Sequence, residues 1–209
     1  LFFRSPFNLS SNPQNLINVN GVLYFLADDG EHGFEVWKSD GTQNGTRLVK
    51  DINPGEGTAF SSTADRNIYR YKPDFTVVDD LLYFLADDGE HGLELWKTDG
   101  SMAGTNLVKD IAPGFLSSFS HDDDNYVRSS LVNANGTLYF RANDKSHGDE
   151  LWTSDGTSLG TYLVQNIQPG PGDSDPIRFT VSGSKLYFNA FHYESGYELW
   201  SLPLRQQLK

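Results

Sequence analysis

Apolar residues in this chain come in short bursts separated by polar turns, and no stretch keeps the 3.6-residue spacing of an amphipathic helix over a helix length. A short strand is expected at 16–19, followed by Asn20-Gly21, a dipeptide that favours a two-residue hairpin. A second strand, 22–27, ends in the turn formers Asp28-Asp29-Gly30. A third, 34–39, runs into Asp40-Gly41, and a fourth, 47–52, stops at Asn53-Pro54-Gly55. The spacing predicts an all-β chain. The stretch LYFLA (23–27) is apolar at consecutive positions, where a half-exposed sheet would alternate. Both faces of its sheet must therefore be covered.

The covering is supplied by repetition. LYFLADDGEHGFEVWKSDGT, starting at Leu23, returns as LYFLADDGEHGLELWKTDGS at Leu82 and as LYFRANDKSHGDELWTSDGT at Leu138. A shortened copy, LYFNAFHYESGYELWS, starts at Leu186, so the copies begin 59, 56 and 48 residues apart. Four copies of a four-stranded sheet, packed face to face in a ring, make a four-bladed β-propeller of antiparallel blades. A parallel β-helix would need shorter coils, and a β-sandwich would not need the same sheet four times. One domain over 1–209 is expected, with blades at about 14–54, 74–113, 128–169 and 177–202. The last repeat continues after Trp200 as SLPLRQQLK, with neither DGT nor an LVKDI-like strand. The opening LFFRSPFNLSSNPQNL matches the exit of the third repeat in spacing: Pro6 to Pro13 is seven residues, as is Pro169 to Pro176. Residues 1–6 are expected to complete the last blade and close the ring, which removes free sheet edges.

The stretches FEVWKSDGT, LELWKTDGS and DELWTSDGT, each followed by a GTxLV segment, resemble the ELWxxDGT repeat family of bacterial, often extracellular, proteins. The resemblance covers nearly the whole chain and implies propeller-like repeats and an extracellular or cell-surface location. It implies no defined activity and no fixed catalytic set. The fourth copy keeps Glu198-Leu199-Trp200 and departs from the family pattern in lacking the DGT.

With 209 residues, 37% hydrophobic and 13% aromatic, the composition is that of a folded chain. No apolar run approaches the roughly 20 residues of a membrane helix, so membrane insertion is not expected. A formal charge of −12 repels phosphate backbones and anionic lipid, which disfavours nucleic acid as a partner and leaves sugars, basic protein surfaces and cations. The absence of cysteine excludes disulfides, thiolate metal sites and a cysteine nucleophile. The chain opens on Leu, as a processed or trimmed chain does, so the lack of a leader leaves secretion open. Oligomeric state is not fixed by the sequence; two chains forming an eight-bladed ring is the alternative to a monomeric one.

Most motifs read as structure. Asp40-Gly41-Thr42 and its equivalents suit a tight turn that bonds its own backbone. Trp37, Trp96, Trp152 and Trp200 hold one repeated position and read as packing between blades. His32, His91 and His147 recur beside a glycine in the turn after the second strand, as backbone-bonding side chains do. Asp28, Asp29 and Glu31, Asp87, Asp88 and Glu90, and Asp144 read as solvated acidic turns. Asn8, Asn44 and Asn135 begin glycosylation sequons. There is no phosphate loop, HExxH or GxSxG elbow.

Functional candidates lie where the repeats differ. Pro54 to Phe75 spans 21 residues and Pro113 to Leu131 spans 18, against ten from Pro169 to Phe179. The fourth acidic turn becomes Phe191-His192-Tyr193-Glu194. In an up-and-down blade these exits and turns share one face of the ring. The expected ligand-binding set on that face is Tyr69, Arg70, Tyr71, Phe119, His121, Tyr126, His192 and Tyr193, carried by insertions 55–74 and 114–130 and the fourth turn. The densest carboxylate run, Asp122-Asp123-Asp124, is the candidate calcium site; no other cofactor is expected. The reading is a non-catalytic module that binds a carbohydrate or another extracellular ligand. The alternatives are an enzyme using His121 and His192 near Asp122–Asp124, and a purely structural module of a surface or matrix protein.

Overall fold

The structure is a computed structural model that describes residues 10–55, 57–60, 75–119 and 131–204. It is all-β. Among the described residues there is no helix, and so none long and apolar enough to cross a membrane. Each repeat folds as one antiparallel up-and-down sheet. The first contains β1 (Gln14–Val19), β2 (Val22–Asp28), β3 (Phe34–Ser39) and β4 (Arg47–Leu48). The second contains β5 (Thr76–Val78), β6 (Leu81–Asp87), β7 (Leu93–Thr98) and β8 (Asn106–Lys109). The third contains β9 (Val132–Ala134), β10 (Thr137–Asn143), β11 (Asp149–Ser154) and β12 (Tyr162–Gln165). In the fourth, β13 (Ile177–Ser182), β14 (Lys185–His192) and β15 (Gly196–Pro203) have no fourth neighbour among the described residues.

The hairpin chemistry acts as the sequence requires. At Asn20-Gly21 both residues take positive φ, 52° and 85°, the geometry of a turn that matches strand twist. Val19 pairs Val22 across it, which fixes the register as far as Ile17 opposite Tyr24; an irregularity between Gln14 and Ile17 shifts it beyond that.

Register also decides which side chains face which neighbour. Phe84 lies opposite Trp96 and Leu85 opposite Leu95, so the second sheet has one face with Leu82, Phe84, Ala86 and Trp96 and another with Tyr83, Leu85 and Leu95. All of these are buried. One core cluster runs through the first three sheets, and a second joins Tyr139 and Leu151 of the third to Leu186, Phe188 and Ala190 of the fourth. Continuous apolar strands thus mark sheets covered on both sides, and the stacking is propeller-like.

Three repeated contacts join one sheet to the next. Lys50 donates to the Thr105 carbonyl (2.9 Å) and lies 5.5 Å from the Trp96 ring; Lys109 does the same to Thr161 (2.7 Å) and Trp152 (5.9 Å). The Tyr24 hydroxyl sits against Gly100 of the next sheet's turn, and Tyr83 against Gly156. A link segment crosses between sheets: Ala59, Ser118 and Ser174 accept the amide of Asp87, Asn143 and Phe191 at 3.0, 2.9 and 2.7 Å. Ser11 accepts the amide of Asp28 in the same way, at 3.0 Å.

Those link segments are fastened by buried glutamates. Glu94 accepts the amides of Ile111 (3.2 Å) and Ala112 (3.0 Å) and the Ser118 hydroxyl (2.6 Å). Glu150 accepts the amides of Ile167 (3.0 Å) and Gln168 (2.9 Å) and the Ser174 hydroxyl (2.6 Å). Glu35 accepts the Asn53 amide (3.1 Å), but its Oε2 has no hydrogen-bond partner among the described residues. The serine of the other two clasps is Ala59 here. Burial drives the Glu35 carboxyl well above its usual range and Glu94 to about 7; Glu150 is raised for the same reason.

Candidate ligand-binding face

The turn after the second strand of each sheet begins as a self-capping acidic loop. In the first sheet Asp28 accepts the Gly30 amide (2.7 Å), and Asp29 accepts those of Glu31 (3.0 Å) and His32 (2.9 Å). The His32 ring bonds the other Asp29 oxygen at 2.8 Å. Asp88 with His91 (2.8 Å) and Asp144 with His147 (2.7 Å) repeat the pair. Burial alone would raise Asp29, but the amides of His32 and Glu31 and the imidazole hold it below its ordinary value; Asp88 and Asp144 are lowered likewise. The hydrogen bond to Asp29 raises His32, and Asp88 raises His91. The three histidines were expected to bond neighbouring backbone; their rings instead bond the carboxylate of the aspartate three residues earlier. Among the described residues, no group of three or more His, Asp or Glu is arranged to hold a metal ion.

The fourth turn is built differently. It has no Asp–His pair; the Ser195 amide donates to the His192 carbonyl (3.1 Å), and His192 Nδ1 accepts the Glu194 amide (3.3 Å). The Tyr193 amide is fixed from the third sheet's exit by Gln168 Oε1 (2.9 Å). The His192 and Tyr193 rings lie 4.8 Å apart, and the Tyr193 hydroxyl donates to Glu194 (3.0 Å). Alongside, Phe191 and Tyr197 rings are 5.4 Å apart, and the Tyr197 hydroxyl donates to Asp175 (3.1 Å). Tyr193 and Tyr197 remain 63% and 56% exposed. Two aromatic side chains are thus held by hydrogen bonds while their rings face water.

Asp175 also belongs to an ion-pair network that has no counterpart among the described residues of the first two sheets. Arg141 bonds Asp175 and sits 3.6 Å from Asp149, with its side chain buried. Arg141 stands where the earlier repeats have Leu26 and Leu85, and Asp149 where they have Phe34 and Leu93. A guanidinium between two carboxylates anchors the Tyr197 hydroxyl through Asp175.

Of the residues proposed from sequence, His192 and Tyr193 are brought together on this turn. Phe119 is not on the surface: it is 3% exposed, and its ring packs 5.8 Å from Phe140. Phe60 packs on Phe84 in the same way, also at 5.8 Å. At the edge of its insertion, Phe119 is therefore a packing residue against the central Phe of the sheet and not an exposed ligand contact. Tyr69, Arg70, Tyr71, His121, Tyr126 and Asp122–Asp124 lie outside the described residues. Arg141, Asp149, Asp175 and Tyr197 were missed, although comparing repeats inside the strands, LYFRAN against LYFLAD, would have marked Arg141.

No family model matches the chain, and no curated protein matches it. Solved structures do. A puromycin hydrolase crystal structure superposes with a TM-score of 0.54 at 15% identity, over 94% of this chain and 27% of that one. At that identity the likeness speaks for the fold alone, and this chain spans about a quarter of the length of that structure. TolB from Acinetobacter baumannii (TM-score 0.44, 12% identity, 90% of this chain and 39% of that one) is also similar. So is a thermostable family-43 glycoside hydrolase (0.39, 15%, 92% and 67%).

Proposed function

We propose that this chain is a non-catalytic binding module, exposed outside the cell, that recognises a carbohydrate or another extracellular ligand on the face carrying the fourth turn. The observation that supports it is the pair Tyr193 and Tyr197, exposed yet held by Glu194 and Asp175. A tyrosine ring offers a flat apolar face with a polar tip, matching a sugar's C–H face and hydroxyl rim. Preordered rings also lose less entropy on binding than mobile ones. Insertions 55–74 and 114–130 enter the same face in this reading, with calcium, where it binds, at Asp122–Asp124.

The fold reading that goes with it is a closed ring of four blades, with residues 1–6 as the fourth strand beside β15. Exposure supports it: Leu199 of β15 is 71% exposed, whereas Val36, Leu95 and Leu151 at the same position are buried.

A glycan array with the whole chain tests the function. Binding to at least one glycan class is expected, and Tyr193→Ala or Tyr197→Ala should weaken it about tenfold or more at an unchanged melting midpoint. An array without hits removes the carbohydrate reading.

A further inference from the structure

The fourth turn differs from the other three in what its carboxylates bond. In the first turn Asp29 is engaged from within, by the amides of Glu31 and His32 and by the His32 ring. Asp88 and Asp144 repeat that pattern. On the fourth turn the carboxylates meet tyrosine hydroxyls instead. Tyr193 donates to Glu194 Oε1 (3.0 Å) and Tyr197 to Asp175 Oδ2 (3.1 Å).

A phenol carries one hydroxyl hydrogen. With that hydrogen donated to a carboxylate, each exposed ring ends in a phenolic oxygen and a carboxylate that can only accept. Glu194 is exposed, and its Oε2 has no hydrogen-bond partner among the described residues. Glu198, beside Tyr197, is exposed as well. The cations do not offset this. Arg141 is buried and bonded to Asp175, with Asp149 alongside, and Arg178 stands on β13, with β14 between it and β15. His192 supplies one donor: its Nδ1 accepts the Glu194 amide (3.3 Å), which leaves the hydrogen of the neutral ring on Nε2.

We propose that this face selects its glycan by a protonated amine: an amino sugar lies on the tyrosine rings and its ammonium bonds Glu194, in preference to N-acetylated or anionic sugars. The inference rests on the carbohydrate reading above and adds the group that is recognised. An ammonium brings three donors and no acceptor, the complement of a tyrosine hydroxyl already donated to a carboxylate. It is also attracted to the face of an exposed phenol ring. N-acetylation removes the charge and leaves a single N–H donor. A uronate brings a carboxylate that meets Glu194, Glu198 and a chain of charge −12.

Calorimetry of the whole chain with three oligosaccharides of equal length tests this: a chitosan oligomer, its fully N-acetylated form and an oligouronate, at a pH that keeps the amine charged. The amine form should bind about tenfold tighter than the N-acetylated form, with the uronate weakest. Added salt should narrow the gap. Glu194→Gln should abolish the preference at an unchanged melting midpoint. Glu31→Gln removes an exposed carboxylate of the first turn and should keep the preference. Loss of the preference in both variants would assign it to overall charge and overturn the site. Equal binding of the amine and N-acetylated forms, or a uronate bound as tightly as the amine, also overturns the proposal, while the carbohydrate reading stands because a sugar is bound. No binding of any of the three overturns the proposal; only a glycan array without hits removes the carbohydrate reading with it.

Discussion

Ala59 shows how far one atom matters in this fold. Ser118 and Ser174 each give a buried glutamate a hydroxyl, and Ala59 leaves Glu35 Oε2 without one. Ala59→Ser supplies the missing donor in a geometry the other two sheets already accept. It should stabilise the chain by about 1 kcal/mol, a rise in Tm of about 2–4 °C; an unchanged or lower Tm would mean the first clasp is not built like the others. The same glutamates set a pH dependence. Glu94 moves from 4.5 to about 7, so its penalty is absent below pH 4.5 and accrues as pH rises to 7, on the order of 3 kcal/mol in all. Glu35 and Glu150 act in the same direction. His32 and His91 are raised, so their contribution is present below their ordinary 6.5 and lost as pH climbs through the folded value. Asp29, Asp88 and Asp144 are lowered, and theirs is lost only as pH falls below 3.8. Melting should therefore peak at about pH 5 and decline toward pH 8, with Glu94→Gln flattening the decline; a midpoint that rises over that range contradicts these shifts. The repeated residues could be read from sequence because repetition alone exposes a structural role. Ala59 and Arg141 stand out from the repeat, but their roles were not readable there, because the partners that define them lie 24 and 34 residues away.

Turns and strands were legible for local reasons. Asn20-Gly21 and the acidic turns fix their own geometry through side chain to backbone bonds, so a short window suffices. What a window does not show is that the Asp-Gly-Thr turn is also a seat for the preceding sheet. Asp40 accepts the amide (2.9 Å) and hydroxyl (2.7 Å) of Thr42, which explains the motif locally. Its second equivalent, Asp99-Gly100-Ser101, meets Tyr24 from the first sheet: a Cβ on Gly100 would lie 2.1 Å from the Tyr24 hydroxyl. Gly100→Ala therefore suffers twice, from φ of 85° and from that clash. It should cost several kcal/mol, beyond the roughly 1 kcal/mol of the φ term, and Tyr24→Phe should recover part of it. Absence of any recovery in urea unfolding would mean the tyrosine yields freely and the seat carries no packing.

At the scale of the molecule, the architecture follows from one sheet copied four times. Sheets apolar on both faces have to stack, and the lysine and tyrosine contacts recur at the first two junctions because the sequence does. The all-β class and the repeated antiparallel sheet were therefore readable as a pattern; the candidate face was readable only in part, since Arg141 with Asp149 and Asp175 replaces core residues instead of surface ones. Closure is the proposal on which the rest turns: among the described residues β15 has no neighbour on its outer side, and the opening of the chain matches the exit of the third repeat in sequence spacing. Thermal unfolding of the chain without residues 1–7, compared with the whole chain, tests this most directly. Losing a strand from a closed ring exposes both its own sheet and the neighbour's face, so a single cooperative transition lowered by at least about 5 °C is expected. Melting at the same temperature would show that those residues close nothing.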